Sequence, residues 1–415
     1  MKNPTWDSMK RWIRQEQKTV GLSVLVSILI IIFSYVMGNT TIPLPGEVQV
    51  LKDFDDFKEF AGMQRGNVPD SFLFVNVCYD KELVDYEENG IPVGKTVITD
   101  RTKLLKLLNE AKKANNYRYI FMDVHFDGSL ETPVDSELFQ TIASMDRIVI
   151  PTHKDNTLKD SVLFAKAAKA DYTTTWKVLT FSHYQFLQDD ELSVPLKMYV
   201  DKKHLKGSGI EKHWGGLWYT DEGRLCQNGV TLLLPICING SLKDEEGHVR
   251  ERNYVYLGSD LVDEDFPIEE QIADKIVVIG DLKNDTHSTY LGTQPGSSIC
   301  MNAYIALMNG NHLVKWWYEF FLFLVYSIVG CFYLKGRSFS VLFSNPWLSV
   351  LMSFFSTATL FYIITIIVKW QGFVFNLWVP TTVYSLIDTY IQKRNLFNNK
   401  KNEKIINADK LKPVD

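Results

Sequence analysis

Long apolar runs at both ends of the chain constrain its fold more than any other feature. Val20–Met37 carries no charged side chain, and three further runs cover residues 315–334, 347–368 and 373–391 of the 415-residue chain. A membrane-spanning helix needs about 20 predominantly apolar residues. The runs therefore predict four transmembrane helices, at 20–37, 315–334, 347–368 and 373–391.

The first apolar run has one alternative interpretation, a cleaved secretory signal peptide. The run is long for a signal peptide, and no small-x-small cleavage site follows it. We therefore interpret Val20–Met37 as a retained membrane anchor.

Three acidic or amide side chains fall inside the later apolar runs: Glu319, Asn376 and Asp388. Polar groups in the middle of a bilayer are costly, so they reach the membrane surface or contact another helix. The sequence leaves both explanations open for Glu319 and Asp388, and a contact with another helix or with a partner protein is the sharper of the two.

The distribution of basic residues predicts how the chain is oriented. Four basic residues lie between positions 10 and 18, and five lie between positions 393 and 404. Positive charges beside membrane helices concentrate on the cytoplasmic side. Residues 1–19 and the tail 392–415 are thus expected in the cytoplasm, and residues 38–314 outside it. This is the organisation of a multi-pass protein of the cell membrane, the inner membrane in a bacterium, with a large periplasmic domain.

Strand and helix patterns alternate in the segment predicted to lie outside the cytoplasm. Short buried strands are expected at 71–78, 117–124, 147–151 and 275–280, and helices at 101–114, 135–143 and 299–308. Asp100 and Asp135 precede or begin two of these helices and are suitable N-caps. The order predicts an α/β domain with a parallel or mixed sheet and flanking helices.

The part of this domain between residues 155 and 270 has a less regular pattern. Ala165–Ala170 resembles a helix, whereas Lys177–Ser182 and Gly229–Leu234 resemble strands. The order of these strands in a sheet does not follow from the sequence.

Two Asp-x-His groups stand at the ends of predicted strands and form the candidate binding site. Asp123, His125 and Asp127 alternate along one strand end, and Asp285 and His287 repeat the spacing near another. Alternation places side chains on one face of a strand. These residues are suitable for a small ligand or a divalent cation, but local capping and hydrogen bonds explain them equally well. We expect a ligand site without a metal or a cofactor.

Cysteines are sparse and no catalytic motif is present. Cys226 and Cys237 have the spacing of a hairpin disulfide. The chain has no Gly-x-Ser-x-Gly, Walker phosphate loop, His-Glu-x-x-His or paired Cys-x-x-Cys motif. We expect the protein not to be an enzyme; a hydrolase using the two Asp-x-His groups is the weakest alternative.

Several sequence blocks between about Pro69 and Val314 resemble the type-2 CHASE domain. In the first half these are Phe72–Val77, Asp100–Leu108, Tyr119–Phe126, Asp135–Phe139 and Arg147–Pro151; in the second half they are Lys275–Gly280, Asp285, His287, Thr289, Pro295-Gly296, Met301–Ala303 and Leu307–Gly310. Two departures are that Tyr290 follows Thr289 in place of proline, and that a long insertion covers residues 155–264.

The resemblance implies an extracytoplasmic sensory module of the kind found with cyclases, histidine kinases and protein kinases. Because only a short polar segment follows the last apolar run, we expect a sensor without its own effector domain, which passes a ligand or partner signal to a separate protein. The alternative is a structural or assembly subunit of an envelope membrane complex. Expected partners are the lipid bilayer, an effector protein and further copies of the chain. Nucleic acid is not expected, since the formal net charge is −5.

Overall fold

A computed structural model describes residues 6–39, 47–60, 69–88, 91–126, 130–153, 161–170, 183–188, 191–203, 209–213, 218–231, 236, 253–262, 267–290, 292–335, 345–370 and 378–410. The chain divides into two compact units. One comprises Asn39–Leu313, and the other joins Met1–Gly38 to Val314–Asp415. The first contains the α/β domain and the second contains the long apolar helices.

The described helices and strands follow one another along both units. The α-helices are α1 (Trp6–Gly38), α2 (Glu47–Phe60), α3 (Arg101–Ala114), α4 (Asp135–Ser144), α5 (Val194–Lys202), α6 (Ile268–Ile272), α7 (Gly296–Met308), α8 (Trp316–Leu334), α9 (Pro346–Trp370) and α10 (Trp378–Lys410). The strands are β1 (Phe72–Asn76), β2 (Lys81–Glu88), β3 (Ile91–Thr99), β4 (Tyr119–Asp123), β5 (Ile148–Thr152), β6 (Ala167–Lys169), β7 (His183–Gln185), β8 (Leu187–Gln188), β9 (Glu191–Leu192), β10 (Ile210–His213), β11 (Trp218–Asp221), β12 (Arg224–Cys226), β13 (Gly229–Thr231), β14 (Tyr254–Tyr256), β15 (Ile276–Gly280), β16 (Thr286–Thr289) and β17 (Gly292–Pro295).

A six-stranded sheet in the order β14-β1-β15-β4-β5-β6 forms the centre of the α/β domain. The four strands expected from apolar runs are confirmed as β1, β4, β5 and β15. All the described pairings in this sheet are parallel, so of the two expected arrangements, parallel and mixed, the sheet has the parallel one. The late strand β15 lies between β1 and β4, which no local pattern indicates, because strand order depends on contacts between distant segments.

Alternate residues of the central strands face opposite layers of helices. Phe72 and Phe74 of β1 belong to a buried cluster that includes residues of α5 and α7. Leu73 and Val75 belong to a second cluster, which includes residues of α3, α4 and α6. Strand side chains alternate between faces, so a sheet covered on both faces needs an uninterrupted apolar run. The domain thus has three layers, with helices on both sides of the sheet.

Two expected helix caps have different outcomes. Asp100 caps α3 as predicted, because its side chain accepts a hydrogen bond from the amide of Lys103 (3.0 Å). Asp135 is not the cap of α4, which begins after Val134 without a side-chain cap. Its carboxylate instead accepts hydrogen bonds from Thr132 and forms a buried ion pair with Arg101. The ion pair with Arg101 of α3 thus takes the place of the expected N-cap hydrogen bond in α4.

The insertion contributes a strand where a helix was expected. Residues 161–166 form a 3-10 turn, and Ala167–Lys169 then pairs parallel to β5 as an edge strand. The helix predicted at Ala165–Ala170 is therefore wrong, because backbone pairing with β5 outweighs weak local propensity. Gly229–Thr231 confirms the start of one predicted strand. The strand predicted at Lys177–Ser182 lies outside the described residues.

Helices of the second unit pack through small and aromatic side chains. Ser23 of α1 donates to the carbonyl of Ser327 of α8 (2.6 Å), and Tyr384 of α10 donates to the carbonyl of Tyr326 (2.6 Å). At one end of the same helix pair, Lys335 lies 2.7 Å from Glu16. The amino-terminal part of α1 is therefore next to the carboxyl end of α8.

Two of the described helical segments are long and apolar enough to cross a membrane, Glu16–Met37 and Trp316–Leu334. They coincide with the first two expected spans. The third and fourth expected spans fall largely on α9 and α10, which are helical but do not meet the same criterion within the described residues.

Candidate functional site at the carboxyl edge of the sheet

The carboxyl ends of the parallel strands bring distant polar residues into one row. Asn76 of β1 pairs with Gly280 of β15, and Gly280 pairs with Asp123 of β4. Tyr256 of β14 is on the other side of Asn76. In open parallel sheets ligands bind beyond the carboxyl ends of the strands, so this edge is the candidate site.

Asn76 organises the turns that leave two of these strands. Its fully buried amide oxygen accepts hydrogen bonds from the amides of Cys78 (3.0 Å) and Leu282 (3.2 Å), and its nitrogen donates to the hydroxyl of Tyr254 (2.7 Å). One side chain thereby accepts from two backbone amides, which follow β1 and β15, and donates to a hydroxyl group of β14. Asn76 therefore holds the edge in shape and has little capacity left for a ligand.

Asp123 lies in a narrow place created by the glycine beside it. A Cβ atom at Gly280 would lie 3.2 Å from the Cβ of Asp123 and 3.4 Å from the Oγ of Ser297, in the first turn of α7. Any side chain at position 280 would therefore crowd both neighbours. Tyr184 is also close, since the Asp123 carboxylate is among the charges that raise the pKa of this phenol, after burial and Cys300.

Burial, together with the neighbouring carboxylate of Asp285, raises the pKa of Asp123 to about 8. The side chain is half-buried, and within the described residues no cation contacts it. Asp285 itself is exposed, with its Oδ1 3.4 Å from Nε2 of the half-buried His287. The carboxyl groups of Asp123 and Asp285 therefore interact electrostatically, and Asp285 contacts His287, whereas a ligand site formed by the two Asp-x-His groups stays a prediction.

The other acidic residues of this edge are already paired with lysines. Lys81 lies 2.9 Å from Asp281, and Lys103 lies 2.8 Å from the buried Asp80. Although burial opposes the change, hydrogen bonds from Asn284 and Lys81 lower the pKa of Asp281. Asp281 is thus an ionised, structural carboxylate, in contrast to Asp123.

The remaining residues of the predicted site have separate positions. His125 follows β4 with an exposed side chain, and Asp127 lies outside the described residues. Within the described part of the chain, no group of three or more histidine, cysteine and acidic side chains is arranged to hold a metal ion. The arrangement provides a protonatable carboxyl group, a second carboxylate and an imidazole.

A buried polar cluster was not predicted from the sequence. Asp221, which ends β11, is fully buried and accepts hydrogen bonds from Tyr199 (2.8 Å) and Lys203 (3.1 Å), with Nε2 of His312 at 3.5 Å. Among the described residues, the other oxygen of Asp221 and Nδ1 of His312 have no hydrogen-bond partner. Its members lie far apart in sequence, and none belongs to a recognisable motif.

The predicted disulfide stays a prediction, because Cys237 lies outside the described residues. Cys226 is buried at the end of β12, and its thiol donates to the carbonyl of Arg224 (3.3 Å). Burial raises the pKa of this thiol to about 12, and Asp221 adds to the effect. Cys226 is accordingly a protonated, buried thiol in this structure.

The polar residues of the apolar helices also differ from one another. Asp388 is fully buried in its helical unit and accepts a hydrogen bond from Gln392 one turn later (2.9 Å). This burial agrees with a contact between helices, one of the expected alternatives, and a contact with a partner protein stays a prediction. Glu319 is half-buried in α8, and Asn376 lies outside the described residues.

Comparisons with known proteins add no relative. No family model matches the chain, and no curated protein or solved structure matches it. The architecture and the candidate site therefore define the class of protein at the level of an α/β domain joined to apolar helices.

Proposed function

We propose that this chain is a membrane-anchored sensor whose α/β domain binds a ligand outside the cytoplasm and passes the signal to a separate protein. The observation that carries the proposal is Asp123, a half-buried carboxyl group at the carboxyl end of a central strand. It is beside Asp285, and among the described residues no cation lowers its pKa. Pairing with a cation would stabilise the charged form of both carboxyl groups. The expected ligand therefore has a positively charged group.

The proposed topology has four spans, with both termini in the cytoplasm. The two apolar helices Glu16–Met37 and Trp316–Leu334 support it, and so does the contact of Glu16 with Lys335, which joins the ends expected on the cytoplasmic side. Reporter fusions at residues 160 and 415 test the topology. An externally active reporter at residue 415 contradicts four spans.

Membership of the type-2 CHASE family is part of the same proposal. The family blocks quoted above coincide with β1, α3, β4, α4, β5, β15 and α7, in the order that an α/β sensory domain requires. A sensor of this kind needs a protein partner for its output. Purification from native membranes followed by mass spectrometry should recover a cytoplasmic or membrane effector, and recovery of envelope structural proteins alone would favour an assembly subunit.

The ligand site can be tested with simple cationic probes on the full-length protein in lipid nanodiscs. We expect putrescine or Ca²⁺ at millimolar concentration to raise the melting temperature, because a ligand that binds only the folded state stabilises it. Asp123→Asn should abolish the shift. Asp274→Asn, which removes an exposed carboxylate paired with Arg118, is the matched control and should respond like the unmodified protein.

Two results would overturn this site. One is the absence of a thermal shift with both a diamine and a divalent cation in the unmodified protein. The other is an equal shift in Asp123→Asn and the unmodified protein, which would mean that the cation binds elsewhere.

A further inference from the structure

The hairpin formed by β2 and β3 exposes an apolar face. Leu83, Val93 and Val97 have exposed fractions of 66%, 58% and 59%, and alternation along the strands places them on one face. Strands β2 and β3 pair only with each other among the described strands, so the hairpin is a separate two-stranded ribbon beyond the carboxyl end of β1. Isolated exposed apolar residues are ordinary, but three on one face of a ribbon form a patch.

The opposite face of the ribbon is the one that packs against the domain. Val84 is buried, whereas its neighbours Leu83 and Asp85 are exposed. On β3, Thr96 and Ile98 are half-buried and alternate with the exposed Lys95 and Val97. The alternation therefore assigns one face to the protein core and leaves the other for a contact outside the folded chain.

Cross-strand register gives this outer face a specific complementarity. Leu83 is directly opposite Val97, and Asp85 is directly opposite Lys95. Two ribbons can stack face to face around a two-fold axis that runs parallel to the strands. In this arrangement β2 of one copy lies over β3 of the other, so each residue faces, in the second copy, the residue that is its cross-strand neighbour within its own copy. Leu83 of one copy then meets Val97 of the second, and Asp85 meets Lys95, so apolar groups meet apolar groups and opposite charges meet.

We propose that the outer face of the β2–β3 ribbon is a self-association surface that binds the same face of a second copy of this chain. The interface is isologous, which means that both copies use the same surface and that each pair of contacting residues occurs twice, as in most symmetric dimers. The Asp85–Lys95 pair within one copy is long, 4.0 Å, and both side chains are exposed, 86% and 65%. Both charges are therefore accessible to partners from a second copy.

The size of the face determines how strong this association is. A stable protein interface usually buries at least about 1,000 Å² in total, and a single two-stranded ribbon provides less. The expected dimer is consequently reversible and concentration-dependent. Two chains that share one membrane would associate more than the same chains diluted in detergent, because anchoring raises their effective concentration.

Charge reversal tests the pairing with differently tagged full-length chains in the same membrane. Asp85→Lys gives a chain with lysine at both position 85 and position 95, and Lys95→Asp gives a chain with aspartate at both positions. When both tagged chains carry the same variant, the amount of one chain captured with the other should be several-fold lower than for the unmodified protein, because like charges meet. Together they should recover the capture, because lysine of one chain meets aspartate of the other. Restoration in the mixture cannot come from refolding, since neither chain has regained its own ion pair.

Cysteine cross-linking tests the direction of the two-fold axis. Leu83→Cys in one tagged chain and Val97→Cys in the other should give an oxidised product with both tags, and more of it than Leu83→Cys alone. Unmodified protein controls for the native cysteines. A Leu83→Cys product in equal or greater yield would overturn the proposed axis.

Three further outcomes would overturn the self-association itself. The first is capture of the mixed charge variants that is no greater than capture of each variant alone. The second is equal self-capture of the unmodified chain and a Leu83→Lys/Val97→Lys variant. The third is cross-linking of the ribbon cysteines only to another protein, or their protection only by lipid, which would assign the face to a different partner.

Discussion

His312 and Asp221 are 91 residues apart in sequence, yet Nε2 of the histidine lies 3.5 Å from Oδ2 of the aspartate, with both side chains fully buried. Two backbone contacts accompany this pair: the amide of Gln227 donates to the carbonyl of His312 (2.8 Å), and Cys226 forms an antiparallel bridge with Leu313. The insertion thus holds the last residues of the α/β domain, immediately before the chain continues into the apolar helices.

His312 should make the domain less stable in mild acid. Burial lowers its pKa, although the hydrogen bond with Asp221 opposes the shift. A histidine with a folded-state pKa below the unfolded value of about 6.5 binds its proton more readily after unfolding, so stability falls as the pH drops below about 6.5. His312→Gln should reduce the difference in melting temperature between pH 7.5 and pH 5. The matched control is His213→Gln, at a half-buried position, and an unchanged pH dependence in His312→Gln would contradict the assignment.

Asp123 should have the opposite sign of pH dependence. Its folded-state pKa of about 8 is above the unfolded value of about 3.9, so its contribution to stability declines as the pH rises from about 4 to about 8. Asp123→Asn should therefore raise the melting temperature more at pH 8.5 than at pH 5. The gain in unfolding free energy at the higher pH should be on the order of 1–2 kcal/mol after allowance for partial exposure. A gain that is the same at both pH values would show that the carboxyl group has an ordinary pKa.

Loss of the buried ion pair between Arg101 and Asp135 should lower the stability of the domain far more than loss of an exposed ion pair. The side chains are 2% and 11% exposed, and the guanidinium group also donates to the carbonyl of Leu130 (2.8 Å). Removing one partner of a buried pair leaves an uncompensated charge, which costs about 3–5 kcal/mol. Arg101→Ala should therefore lower the thermal stability of the α/β domain strongly. Arg118→Ala removes an exposed pair with Asp274 and should leave the thermal stability almost unchanged, because water screens exposed charges. Equal effects of the two variants would refute the distinction.

Replacing Gly330 by alanine should lower the melting temperature, whereas the same replacement at Gly21 should not. Replacing glycine by alanine in a helix normally stabilises it by about 1 kcal/mol. At Gly330 of α8, however, a Cβ atom would lie 2.2 Å from the Oγ of Ser23 of α1, whereas at Gly21 it would meet nothing within 4 Å. Gly330→Ala should lower the melting temperature of the full-length protein in detergent, and Gly21→Ala should leave it unchanged or raise it. Equal tolerance of both variants would contradict the close contact of α1 with α8.

Much of the local structure followed from the sequence, because its causes lie within a few residues. The apolar run at 71–78 gave β1, since a strand covered on both faces needs apolar residues at every position. Asp100 marked the start of α3 through its own side chain. The repeated Asp-x-His spacing drew attention to Asp123, Asp285 and His287, whose role in binding a ligand stays a prediction.

The tertiary structure decided what depends on neighbours distant in sequence. Ala167–Lys169 is an edge strand because its backbone pairs with β5. Asp135 forms an ion pair with Arg101 and does not cap its own helix. The placement of β15 between β1 and β4 brought Gly280 beside Asp123 and so created the narrow site. His312 and Asp221 met only through packing of the insertion. Local sequence windows determine which residues are apolar, capping or turn-forming, but pairing between distant segments determines which polar groups share a buried space, and only the folded chain contains that information.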